Sequence, residues 1–150
     1  MLDLQLANRE FFAPFEPQRP SNFFTLEGQR EWLAAPDRLR WVILDDGVPA
    51  GFVGISNIVR GPLQSAILSY WVDQGRNGRG LASAAVAEVV TYAFGELDLH
   101  RLEAGTLVDN IASQRVLEKN GFERFGLARR YLLIAGEWRD HVLFQRVADG

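Results

Sequence analysis

The stretch SYWVDQGRNGRGLASAAV (residues 69–86) decides the fold, because it joins an apolar strand to a helix through a glycine-rich loop. The loop contains Gly75, Gly78 and Gly80 together with Arg76 and Arg79. A strand that runs through such a loop into a helix directs backbone N–H groups and the positive end of the helix dipole at one spot. Glycine also lets the backbone approach a ligand closely. The stretch therefore predicts an anion site suited to a pyrophosphate.

Three kinds of phosphate loop compete for this pattern. A P-loop ends in Gly-Lys-Ser/Thr, and the sequence contains no such ending. The dinucleotide fingerprint needs glycine or alanine where GRGLAS (residues 78–83) has Ser83, and it also needs a βαβ unit near the N-terminus. The third kind is the acyl-coenzyme A loop, Gln/Arg-x-x-Gly-x-Gly/Ala. Taken alone, the loop leaves these possibilities and a plain connection open.

The segments before the loop predict an antiparallel meander of three strands at residues 39–44, 50–59 and 65–72. Residues 45–47, DDG, form a hairpin turn between the first two strands. A helix is expected at residues 25–35. Upstream of it, FFAPFEPQRP (residues 11–20) contains three prolines and is predicted to be irregular.

After the loop, apolar residues at helical spacing predict a helix from Leu81 to Phe94. A strand follows at residues 102–108, and then a helix at residues 111–119 that Asn110 caps and Asn120-Gly121 ends. Residues 131–134 and 138–147 complete the chain as a hairpin. This order of elements predicts an α/β fold with a mixed sheet.

The composition is that of one globular domain spanning residues 1–150, with 47% hydrophobic and 23% charged residues. A net charge of −3 argues against a nucleic acid partner. There is no cysteine, and the two histidines are too few and too isolated to suggest a metal. The sequence shows neither a signal peptide nor an apolar run of about 18 residues, so we expect a cytoplasmic protein without membrane contact.

Two further segments extend the pattern of the opening stretch: HRLEAGTLVDNIASQRVLEKNGF (residues 100–122) and ARRYLLIAGEWRDHVLF (residues 128–144). In this order the three segments resemble the GNAT acetyltransferases (Gcn5-related N-acetyltransferases). The second and third are similar to the Rim-type ribosomal-protein N-terminal acetyltransferases. The resemblance covers about residues 8–147.

The resemblance implies direct transfer of an acyl group, by default acetyl, from acetyl-CoA to an amine, with no covalent enzyme intermediate. It implies a GNAT fold: a mixed, mostly antiparallel sheet with flanking helices, whose fourth and fifth strands in the family's order splay apart to admit the pantetheine arm. Cofactor contacts are then expected from one strand end, from the loop and from the helix after the next strand. These residues are Tyr70, Trp71, Val72, Arg76, Asn77, Gly78, Arg79, Gly80, Leu81, Ala82, Asn110 and Ser113.

The catalytic expectations also follow from the resemblance. Many family members carry a tyrosine as general acid where this sequence has Leu117, so Ser113 becomes the candidate acid. Glu103 is the first candidate for the general base, although an ion pair with Arg101 would explain it equally well. Asp140 and His141 are second choices for contact with the substrate.

Two departures from the family pattern accompany these expectations. Family members usually begin with a strand and a full helix before the region at residues 8–12, so either the sequence is truncated or the sheet lacks its first strand. In the second case the strand at residues 39–44 would be an exposed edge, which makes a homodimer plausible. Gly75 stands where the wider family has glutamine or arginine.

The expected acceptor is a protein N-terminal α-amino group, such as that of a ribosomal protein. A small-molecule amine acyltransferase and a non-catalytic acyl-CoA sensor are the alternatives.

Overall fold

Six strands and five α-helices are present in the computed structural model, which describes residues 1–149. The strands are β1 (Arg38–Asp45), β2 (Val48–Val59), β3 (Ser65–Val72), β4 (Arg101–Leu107), β5 (Glu123–Ile134) and β6 (Glu137–Val147). The helices are α1 (Leu2–Ala7), α2 (Arg9–Phe12), α3 (Leu26–Ala34), α4 (Leu81–Gly95) and α5 (Ile111–Lys119). Single 3₁₀ turns occur at Ala13–Phe15 and Gln74–Arg76.

The strands form one sheet in the order β1-β2-β3-β4-β6-β5. β1, β2 and β3 are the predicted antiparallel meander, and β4, β6 and β5 are antiparallel to one another. β3 and β4 are parallel, and they pair only from Ser65↔Arg101 to Ile67↔Glu103. Beyond these three pairs the two strands separate. The sheet is therefore mixed and mostly antiparallel, and the expected splayed pair is β3 and β4.

The sheet has two different faces, because successive side chains of a strand point to opposite sides. On one, the helix face, buried residues of α4 and α5 pack against the strands and form the hydrophobic core. The α4 members are Val86, Val89, Val90 and Ala93, at the predicted helical spacing. On the other, the aromatic face, Phe52 of β2 contacts Trp32 of α3 and Trp71 of β3.

Local signals explain where most elements begin and end. Asp46 and Gly47 both have positive φ, as a two-residue type I′ hairpin turn requires, so the predicted turn is confirmed. The hydroxyl oxygen of Thr25 accepts a hydrogen bond from the N–H of Gly28 at the start of α3. α5 ends at Lys119 and is followed by Gly121 with φ +78°, as predicted.

Two predictions of secondary structure were wrong. Residues 11–20 are not irregular throughout, because α2 includes Phe11 and Phe12 and a 3₁₀ turn follows at Ala13–Phe15. Pro14 is compatible with this turn because it lies in the first turn, where its missing N–H costs nothing. β5 begins at Glu123, well before the predicted residue 131. Irregular pairing between Ala128 and Leu132, with Arg130 at φ +47°, hides the alternation of this strand.

β1 lies at one edge of the sheet, as expected, and β5 lies at the other. No strand precedes β1 within residues 1–149, so the sheet has no counterpart of the family's first strand in the described part. Across the described residues, none of the helices is both long enough and apolar enough to cross a membrane.

Candidate active site

The separation of β3 from β4 opens a cleft of about 820 Å³, within the size range of ligand pockets. Residues of both sheet faces line it. From the helix face come Tyr70 and Ser113, and from the aromatic face come Phe12, Trp71 and His141. The predicted glycine-rich loop closes one end of the cleft, through Arg76, Asn77, Gly78, Gly80, Leu81 and Ala82.

The loop has the backbone conformation expected of an anion site. Gly78 and Gly80 have φ values of +81° and +76°, a region that residues with a side chain rarely adopt. Gly80 is the N-cap residue of α4 and provides no side-chain cap. The first N–H groups of α4 are therefore free to bind a negatively charged group, and the helix dipole adds to their attraction.

The two loop arginines are held by acidic residues. Arg76 forms ion pairs with Asp45 and, at 3.7 Å, with Asp73, and Arg79 lies 3.2 Å from Asp45. Arg76 lines the cleft, whereas the side chain of Arg79 is 60% exposed and is not among the residues that line it. The cationic charge predicted for the loop is thus partly balanced by Asp45 before any ligand is present.

Asn8 fixes the start of the loop and was not identified from the sequence. Its side chain is buried, its amide nitrogen donates to Asp73 Oδ1 at 3.0 Å, and its amide oxygen accepts from the N–H of Gln74 at 2.9 Å. These bonds connect the segment between α1 and α2 to the loop across more than sixty residues of chain. No local sequence signal could have revealed a contact over that separation.

Ser113 and Asn110 lie where the resemblance placed them, at the start of α5. The amide oxygen of Asn110 accepts from the N–H of Ser113 at 3.3 Å, so Asn110 is the cap of this helix. The structure adds a partner for Ser113: the hydroxyl oxygen of Tyr70 lies 2.8 Å from Ser113 Oγ and 3.0 Å from the Ser113 carbonyl oxygen. Burial raises the pKa of Tyr70 to about 12, and the hydrogen bond to Ser113 opposes this shift. Tyr70 is therefore protonated at neutral pH.

On the aromatic face, the ring of Trp71 contacts Phe12 at 5.1 Å and Phe52 at 5.7 Å between centroids. Its indole N–H is buried without a hydrogen-bond partner. A buried donor that lacks a partner costs free energy, and a polar atom of a ligand in the cleft could satisfy it. Trp71 is thus both part of a packed aromatic wall and a candidate donor to a ligand.

The remaining candidates differ in their relation to the cleft. Glu103 lies 2.7 Å from Arg101 in an ion pair and is not among the residues that line the cleft, so its role as a base stays a prediction. Asp140 accepts a hydrogen bond from the N–H of Arg130 at 2.8 Å. Leu117 is fully buried in the core.

Among residues 1–149, no group of three or more histidine, cysteine or acidic residues is placed to hold a metal ion.

Comparison with known proteins gives the class to which this fold and cleft belong. Residues 3–123 match the family model of the acetyltransferase (GNAT) domain. The chain therefore belongs to the GNAT family of acetyltransferases, as the sequence predicted.

Individual relatives narrow the comparison. The chain is 42% identical over 150 residues to the probable N-acetyltransferase YjcK of Bacillus subtilis, covering 93% of this chain and 82% of that protein. It is 32% identical over 158 residues to the ribosomal protein uS5-alanine N-acetyltransferase of Escherichia coli, with coverages of 95% and 78%. The structure of Mycobacterium smegmatis RimJ in complex with CoA-disulfide superimposes with a TM-score of 0.92 at 32% identity, covering 98% of this chain and 75% of RimJ.

Replacing Gly80 with valine should abolish binding of coenzyme A, because a branched side chain at φ +76° would change the backbone that directs the first N–H groups of α4. Gly61→Val is the matched control: Gly61 has a similar φ of +72°, equally free surroundings, and a place at the opposite end of β3. Isothermal titration calorimetry with coenzyme A compares the two. Equal affinities for both variants would show that the loop does not hold the cofactor.

Proposed function

We propose that this protein transfers the acetyl group of acetyl-CoA to the α-amino group at the N-terminus of a protein. The observation that carries the proposal is the cleft between β3 and β4, which the glycine-rich loop closes at one end and which residues of both sheet faces line. The donor can approach from the side of the loop, and the acceptor from the aromatic face. The likeness to a ribosomal protein uS5-alanine N-acetyltransferase supports this acceptor class.

The backbone around the gap is suited to an extended ligand. β3 pairs with β2 on one side over its whole length, but its other edge is free after Ile67. An acyl-pantetheine arm that lies along this edge would satisfy backbone groups of Tyr70, Trp71 and Val72, in the manner of an added strand. An N–H group of that edge would also polarise the thioester carbonyl and stabilise the oxyanion formed during attack.

The loop and the helix ends complete the cofactor site. Asn77, Gly78, Gly80, Leu81 and Ala82 would bind the pyrophosphate through their backbone N–H groups. Arg76 and Arg79 would add charge, and Asn110 would contact the pantetheine arm. No covalent intermediate with the protein is needed, because the cleft brings amine and thioester together directly.

Ser113 is placed to protonate the leaving thiolate. Its hydroxyl lies on the helix face of the gap and is held by Tyr70 at 2.8 Å. The single hydroxyl hydrogen of Tyr70 is directed at the Ser113 carbonyl oxygen, 3.0 Å away, so Ser113 Oγ donates to Tyr70 and would turn its hydrogen toward the thiolate during the reaction. A thiol is a good leaving group with a pKa near about 8.5, so a weak acid of this kind is sufficient.

Ser113→Ala should lower kcat by roughly 100-fold and change the Kd of coenzyme A by less than about twofold, because the hydroxyl acts on the leaving group during the reaction. Thr91→Ala removes a hydroxyl from the exposed side of α4, outside the cleft, and should leave both values unchanged. Steady-state kinetics and calorimetry give the two quantities. A Ser113→Ala variant with the kcat of the unaltered protein would reduce Ser113 to a structural residue.

The acceptor class is tested by mass spectrometry of peptides incubated with the protein and acetyl-CoA. Each peptide is used in two forms, with a free and with a blocked N-terminus, and each contains one internal lysine. We expect a gain of one acetyl group on the free form alone. An N-terminal amine, with a pKa of about 8, is neutral more often than a lysine side chain, with a pKa of about 10.4. Acetylation of the lysine in both forms, or of small amines only, would contradict the proposal.

A further inference from the structure

The cleft contains a proton acceptor on the side opposite Ser113. Of the side chains that line it, within the part of the chain that the structure describes, two carry a carboxylate or an imidazole, the groups that most often serve as general bases: Glu16 and His141. Glu16 is already paired with Arg19 at 3.3 Å. Histidine is the side chain whose charge ordinarily changes between pH 5 and 8, which suits a general base.

The hydrogen bonding of His141 defines its tautomer. Nδ1 lies 3.0 Å from the carbonyl oxygen of Arg139, and a carbonyl oxygen can only accept. Nδ1 therefore carries the hydrogen, and in the neutral ring Nε2 has a free lone pair. Among the hydrogen bonds of residues 1–149, none involves Nε2. The backbone thus orients the ring and leaves its basic nitrogen unoccupied.

Gly105 keeps the space beside this ring open. A Cβ at Gly105 would lie 3.7 Å from His141 Cδ2, the ring atom bonded to Nε2. Gly105 is exposed in the cleft and belongs to the part of β4 that has separated from β3. A larger residue at position 105 would stand between the ring and the gap, so glycine gives a ligand access to the ring edge.

We propose that Nε2 of His141 accepts the proton that the acceptor amine releases as it attacks the thioester, an inference that rests on the proposed function. The register of the sheet places Trp71, Gly105 and His141 on the aromatic face, whereas Ser113 lies on the helix face. Base and acid are thus on opposite sides of the gap in which the two substrates meet. Neither Glu103, in its ion pair, nor Glu16 offers an unpaired acceptor there.

The proton transfers balance as follows. The amine nitrogen forms a bond to the thioester carbonyl carbon, and the C–S bond breaks as the tetrahedral intermediate collapses. One proton leaves the nitrogen for His141 Nε2, and the thiolate takes one from Ser113. The imidazolium then releases its proton to solvent, and Ser113 recovers one from solvent. No oxidant, reductant or further reactant is involved.

The groups that surround His141 come from three strands and from the N-terminal segment. From β5, the ring of Tyr131 contacts it edge-on, with centroids 5.6 Å apart. From β6 come its neighbours Arg139 and Asp140, whose side chains bind Asp109 at 4.0 Å and the N–H of Arg130 respectively. β4 presents the uncharged residues Gly105 and Leu107 on this face. Glu16 and Arg19 line the same cleft.

The test measures kcat/KM between pH 6.5 and 9 with a peptide that has a free N-terminus. His141→Gln should lower kcat/KM about 100-fold at pH 7. The loss should shrink as the pH falls toward about 6.5, the ordinary pKa of histidine, because a protonated imidazole cannot accept the proton that the attacking amine releases. The affinity for coenzyme A should stay within about twofold. His100→Gln alters the other histidine, which lies outside the cleft, and should change neither the rate nor its pH dependence.

His141→Asn tests whether the loss in His141→Gln reflects misfolding, because an asparagine amide can still donate to the Arg139 carbonyl oxygen. This variant should show the same pH-dependent loss. Unaltered rates in both variants would overturn the proposal, as would a loss of equal size at every pH, which marks a structural role. A pH-dependent loss in Glu16→Gln but not in His141→Gln would assign the base to Glu16 instead. If the unaltered protein turns over no amine, both this inference and the proposed function are overturned. If the unaltered protein is active and His141→Gln is equally active, this inference alone is overturned.

Discussion

The short parallel pairing of β3 with β4 is the constraint on which the rest of the structure depends. After three residue pairs the strands diverge, although β3 continues to Val72 and β4 to Leu107. Backbone N–H and C=O groups need partners, and groups that lose their neighbouring strand must find water or a ligand. The divergence therefore produces the cleft and, on its wall, a free strand edge suited to an extended ligand arm.

The elements around this gap place different kinds of side chain on its two sides. On the helix face, α5 brings the hydroxyl of Ser113 to the gap, and Tyr70 reaches across from β3 to hold it. On the aromatic face, α2 and α3 supply rings that pack on Phe52 and Trp71. β6 adds His141 to this side. The glycine-rich loop lies at the end of β3, so one strand borders the gap and leads directly into the loop.

The sequence predicted those parts of the molecule that depend on local patterns. The bounds of β3 and α5, the cap by Asn110 and the hairpin turn at Asp46 and Gly47 all follow from residues close in sequence. β5 was predicted too short, because irregular pairing and the positive φ of Arg130 interrupt its alternation. The contacts of Asn8 with the loop and of Tyr70 with Ser113 join distant segments. Only the assembled sheet brings them together.

The most direct test of the gap is amide hydrogen exchange, measured by NMR with and without coenzyme A. In the free protein, amides on the open edge of β3 beyond Ile67 should exchange faster than amides on the edge that pairs with β2. If an extended cofactor arm lies along the open edge, saturating coenzyme A should slow exchange there and at the first amides of α4. Bound coenzyme A with unchanged exchange at residues 69–72 would contradict this account of the splayed strands.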